Sequence, residues 1–116
     1  MEAHAVRKYI RSSPRKLRRV VNAVRGQTVA EAMQALHFLP HAATRPVELV
    51  IRSAVHNLMD RYQNERFNDD SLVIREIRVD NGPVLKRFRP APRGRAHPYR
   101  KRLSHVRVVV SVLSDA

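Results

Sequence analysis

The apolar positions of this chain keep a helical spacing through residue 59 and change to strand spacing after residue 72. In "SSPRKLRRVVNAVRG" (12–26), Leu17, Val20, Val21 and Val24 recur at i, i+3, i+4 and i+7, which puts them on one helix face. Ser12 or Ser13 suits the N-cap, Pro14 the first helical position and Gly26 the residue just past the end. "TVAEAMQALHFL" (28–39) predicts a second helix, with Thr28 and Glu31 at capping-box spacing and a buried face of Ala32, Leu36 and Leu39. A third helix begins between Pro40 and Arg45 and runs to about Tyr62. Val47, Val50, Ile51, Ala54, Val55, Leu58 and Met59 give it the longest helical period in the chain, and Pro46 is tolerable only in its first turn. The polar run "QNERFNDD" (63–70) reads as a loop, with Asp69 and Asp70 as turn residues.

Period two follows. In "VIREIRV" (73–79), Val73, Ile77 and Val79 share a side; in "VRVVVSVL" (106–113), Val106, Val108, Val110 and Val112 point one way, with Arg107 and Ser111 opposite. "AHAVRKYI" (3–10) is a weaker strand candidate. The fold class expected is α+β: three helices packed on a small three-stranded antiparallel sheet, with a long protruding β-hairpin arm. One domain spanning 1–116 accommodates all of it, the arm occupying about 80–105.

The arm is inferred from what joins the two best strands. "KRFRPAPRGRAHPYRKR" (86–102) holds 8 basic and no acidic residues among its 17. A structureless connection this long is uncommon inside a compact fold. Continuing both strands outward solves the problem, with a reversal near "PAPRGR" (90–95), where Gly94 can take a positive φ. About ten residues per strand at roughly 3.3 Å each give a projection on the order of 30 Å, about the width of the body. His97-Pro98 places a residue without an N–H in the returning strand, so a break or bulge is expected there.

Charge changes the picture from a fold to a partner. The formal net charge is +13, and it is concentrated at the two ends. Residues 1–30 hold 8 basic and 1 acidic residue, 31–80 hold 6 and 8, and 81–116 hold 9 and 1. Two cationic ends around a near-neutral middle call for a polyanion, nucleic acid before an anionic membrane. No 18-residue apolar run exists, and "MEAHAVRKYI" lacks the apolar stretch of a signal peptide, so no membrane partner is expected. A lone two-stranded ribbon is marginal in water, and this one repels itself, so its partner must surround it rather than touch it.

Other chemistry is poorly represented. There is no Cys, hence no disulfide or thiolate ligand. His37 and His41 have i,i+4 spacing, but Pro40 lies between them and no third ligand is evident, so no metal or other cofactor is expected. No nucleophile–base order, Gly-rich phosphate loop or pair of buried carboxylates stands out, so the chain does not read as an enzyme.

In order and spacing, "SSPRKLRRVVNAVRG", "SAVHN" (53–57), "VDNGPVLKRFRPAPRGRA" (79–96) and "KRLSHVRVVV" (101–110) resemble the large-subunit ribosomal protein L-twenty-two family over nearly the whole chain. The resemblance implies a body on the large-subunit surface and an arm threaded through ribosomal RNA to the wall of the nascent-peptide exit tunnel. In that family the arm's tip influences macrolide susceptibility and translational stalling. The implied partners are large-subunit ribosomal RNA, neighbouring ribosomal proteins and the nascent polypeptide. The implied setting is the bacterial-type cytoplasmic ribosome, without homo-oligomers.

On this reading the RNA-binding residues are Arg7, Lys8 and Arg11 before the first helix and Arg15, Lys16, Arg18, Arg19 and Arg25 on or just after it. In and below the arm they are Lys86, Arg87, Arg89, Arg93, Arg95, Arg100, Lys101 and Arg102, most of them facing phosphate. Phe88 and Tyr99 are available for stacking on bases. His105 fits either an RNA contact or a structural histidine. The tunnel tip is Pro90, Ala91, Pro92, Arg93 and Gly94, where Ala91 replaces the family's usual Arg and Pro92 is extra. Leu103 stands where Thr is usual before Ser104-His105. The rival on physics alone is an architectural DNA-binding protein whose basic β-arm wedges a base step with its tip prolines.

Overall fold

The structure is a computed structural model that describes residues 1–39, 42–90, 92–94 and 96–113, with the side chains of Arg89, His97 and Tyr99 outside that description. The elements run β1 (Glu2–Ile10), α1 (Pro14–Val24), α2 (Val29–Phe38), α3 (Thr44–Arg61), β2 (Leu72–Pro90) and β3 (Ala96–Val112). Short 3-10 turns at Asp69–Ser71 and Pro92–Gly94 complete them. The sheet is antiparallel in the order β1-β3-β2, so the last strand made is the central one.

Local chemistry sets the helix ends. Ser13 caps α1 by accepting from the Lys16 N–H, with Pro14 at the first helical position, and Gly26 (φ +77°) follows the end. Thr28 caps α2 by accepting from Glu31 N–H. Pro46 falls in the first turn of α3, where its missing N–H costs no helical bond. One face of each helix is buried: Leu17, Val20, Val21 and Val24 on α1, Val29, Ala32 and Leu36 on α2, and Val47, Val50, Ile51, Ala54 and Leu58 on α3. Leu39 and Met59 pack partly buried at the margin. All meet one sheet face, where β2 contributes Leu72, Ile74, Ile77 and Val79 and β3 contributes Val106, Val108, Val110 and Val112. Each of the larger side chains contributes roughly 1.5–3 kcal/mol by leaving water.

Two strand expectations are corrected. Val73 does not share a side with Ile77 and Val79; the inward set is Leu72, Ile74, Ile77 and Val79. The register shifts between Ile74↔Val110 and Glu76↔Val109, leaving Arg75 as an extra residue, and one extra residue inverts the parity of everything before it. Nor does His97-Pro98 interrupt the arm. Pairing is continuous from Val84↔Arg102 to Pro90↔Ala96, through Arg89↔His97 and Phe88↔Pro98. Since β1 pairs no further along β3 than Ser104, β3 has β2 as its one described neighbour there, and the missing Pro98 N–H removes at most one donor from a ladder that continues past it.

The expected hairpin is present. β2 and β3 run past the body and reverse through Arg93 (φ +65°) and Gly94 (φ +71°), both in the left-handed region. Gly94 adopts it without steric cost. The molecule spans 66 × 26 × 18 Å, its long axis more than twice either of the others.

Candidate nucleic-acid interface

Where the sheet leaves the body, both neighbours of β3 bulge. On one side Lys8 and Tyr9 of β1 face the single residue His105, and on the other Gly82 and Pro83 of β2 face Leu103. Tyr9 takes a positive φ of 59°, and its N–H donates to His105 Nδ1 at 3.1 Å while the two rings meet edge-on at 5.1 Å. Ser104 is fully buried and donates to the Ser12 carbonyl at 2.7 Å, beside the α1 cap. A Cβ on Gly82 would stand 2.8 Å from the Leu103 carbonyl, so only glycine lets the strands approach this closely. The Leu-Ser-His run after the arm thus fastens the arm root to the start of α1, and His105 gives its Nδ1 to the fold.

This fastening builds a cleft. Arg11, Lys16 and Arg19 from the β1–α1 junction and α1 face Arg100, Lys101 and Arg102 from the arm root across a concavity of about 610 Å³. Ser12, Ser13 and the backbone around Ala42–Ala43 complete its lining, which includes no acidic residue among the described residues. The positive end of the α1 dipole adds to the field there.

The remaining candidates divide by what they already touch. Arg18 donates to the Val79 carbonyl at 3.2 Å, tying α1 to β2, and Arg25 reaches Asn22 at 3.5 Å. Arg7, Lys8 and Arg15 are exposed. In the arm, Lys86, Arg87 and Arg93 are exposed, with Arg87 donating to the Lys86 carbonyl at 2.9 Å. Phe88 is 70% exposed and pairs with Pro98 two residues tipward of the Lys86–Arg100 pair, an apolar rung beside a cationic one. Pro90, Pro92 and Gly94 are exposed at the tip; Ala91 and Arg95 lie outside the described residues, as does the side chain of Arg89. His41 also lies outside them, and among the described residues no group of three His, Asp or Glu side chains is placed to hold a metal ion. Among the same residues no helix is long and apolar enough to cross a membrane.

Among the described residues, four arginines of the body are instead ion-paired. Arg45 and Arg52 pair with Glu48, Arg75 with Glu2, and Arg78 with both Glu76 and Asp80. The sequence alone singles out the cation clusters but not the cleft, whose walls lie some 80 to 90 residues apart and meet through the central strand. The Ser104-His105 pair was its one local trace.

Comparison with known proteins matches the family described as ribosomal protein L22p/L17e over residues 5–111. A large ribosomal subunit protein uL22 from Salinibacter ruber is 51% identical over 116 residues, covering 100% of this chain and 95% of that protein. Proteins of the same name from a Synechococcus strain and from Desulfitobacterium hafniense are each 47% identical, over 99% and 94% of this chain and 90% and 93% of their own lengths. With its three helices, its β1-β3-β2 sheet and its basic arm, the chain belongs to the ribosomal protein L22p/L17e family.

Proposed function

We propose that this chain is a structural component of the large ribosomal subunit in the bacterial cytoplasm. It binds ribosomal RNA through α1, the β1–α1 junction and the arm, and it aids assembly by ordering RNA around the arm. The observation that carries this reading is the arm itself: paired strands with cations on both faces, no acidic residue from Lys86 to Arg102, and no core of its own. Such a ribbon is at its most stable when phosphates neutralise both faces, so protein and RNA order together. Phe88, exposed beside the Lys86–Arg100 pair, offers a stacking surface for an unpaired base.

Family membership extends the reading to the tip. Pro90, Pro92, Arg93 and Gly94, with Ala91, would line the wall of the peptide exit tunnel, facing the nascent polypeptide, while the body meets neighbouring ribosomal proteins. His105 acts here by holding the arm root.

The test is binding of the full chain to a large-subunit ribosomal RNA transcript across a salt series, with duplex DNA as competitor. Steep weakening with salt and poor competition by DNA are expected, since each neutralised phosphate releases counterions. Salt-independent affinity, or preference for bent DNA, would overturn the proposal.

A further inference from the structure

We propose that the cleft at the arm root is a clamp for one continuous stretch of RNA backbone, held by the body on one wall and by the arm on the other. This rests on the RNA-binding reading above and adds a specific consequence: bound RNA sets the direction of the arm.

Three observations carry it. First, the six cations of the cleft are gathered without internal counter-charge. Among the described residues, Arg11, Lys16, Arg19, Arg100, Lys101 and Arg102 form no ion pair and no side-chain hydrogen bond; Arg7, Lys8, Arg15 and Arg66 share that state, but only the six line one concavity together. Gathering six uncompensated charges around one concavity is unfavourable without a counter-charge. Second, about 610 Å³ is the size of a site for a sizeable ligand, and charges on both walls suit a chain of phosphates rather than one. Third, the two walls belong to parts joined across paired bulges, Lys8–Tyr9 opposite His105 and Gly82–Pro83 opposite Leu103. Bulges bend and twist a ribbon, so the angle between arm and body is decided beside the cleft. A polyanion bridging the walls fixes that angle.

A double-mutant cycle on the full chain tests the clamp, using Arg19→Gln on the body wall and Arg102→Gln on the arm wall, with affinity for a large-subunit ribosomal RNA transcript read at fixed salt. If one RNA segment needs both walls, releasing it from either removes most of the benefit. The loss in the double variant is then at least about threefold smaller than the product of the single losses. The control pair Arg102→Gln with Arg93→Gln, matched in charge and separated along the arm, multiplies. Multiplicative losses in the test pair, with salt-dependent binding intact, overturn the clamp alone; loss of salt-dependent binding in the parent chain overturns the underlying reading.

A second measurement reads direction. The chain has no Cys, so Glu65→Cys and Arg93→Cys give two unique label sites, one on the body and one at the tip. Adding the transcript is expected to narrow the distance distribution in the parent background and to leave it broad with Arg19→Gln and Arg102→Gln together. Equal narrowing in both overturns the clamp.

Discussion

β2 and β3 pass through two environments, and the same ladder means different things in each. In the body one face of both strands is sealed under three helices, and Arg75 and Arg78 of β2, outside that core, pair with Glu2, Glu76 and Asp80. Beyond the bulge opposite Leu103, no described helix packs a core on the ribbon, and every charged side chain exposed there is a cation. Backbone hydrogen bonds are common to both regions. Since each is worth only about 0.5–1.5 kcal/mol net, it is apolar burial that separates a self-sufficient sheet from a ribbon that needs a partner.

Amide exchange offers the largest contrast. Protection in 106–110 is expected to approach the global stability, whereas the amides of 85–89 and 99–101 exchange near the unstructured rate in the free protein, a gap of roughly a thousandfold or more. Comparable protection in both stretches would break the comparison. Next comes excision. Replacing residues 85–101 by Asn-Gly, between the paired Val84 and Arg102, removes 7 cations and leaves the helices and their core untouched. The body should still unfold cooperatively, while affinity for the ribosomal RNA transcript drops by roughly two orders of magnitude or more at moderate salt. In the opposite direction, Ile77→Ala empties a fully buried site under the helices. Urea unfolding should register a loss of about 2–5 kcal/mol, with arm exchange unchanged. Gly82→Ala probes the boundary between the regions. Its Cβ would press on the Leu103 carbonyl, so a loss of about 1–3 kcal/mol is expected from thermal or urea unfolding. Unchanged stability would show that the root relaxes freely.

The body was legible because burial imposes a period. Every residue of the Leu17, Val20, Val21, Val24 stripe is buried, as are the alternating Val106, Val108, Val110 and Val112 of β3. The arm was legible because two good strands had to be connected. What escaped was irregular. Nothing in "VIREIRV" marks Arg75 as the residue left out of the ladder, for no glycine or proline announces the bulge. Pro98 was misjudged because its cost depends on which neighbour is missing, and strand order does not follow from local sequence. Arg18 and Arg19 look alike as letters, yet one holds the Val79 carbonyl and the other lines the cleft. Sorting cations into fold and interface requires the tertiary structure.

The strand order also bears on how the chain is made. Among the described residues, β1 and β2 find their strand partner in β3 rather than in each other, apart from a single bridge of Val73 to Thr28, and β3 is translated after both. Until it emerges there is no sheet, and Ala3, Ala5, Leu72, Ile74, Ile77 and Val79 have no ladder to hold them against the helices. Folding is therefore late and non-local, with pairing between residues as far apart as Glu2 and Ser111. The basic segment is made just ahead of the body half of β3, so the moment at which β3 closes the sheet is also the moment at which the arm first has a base to stand on.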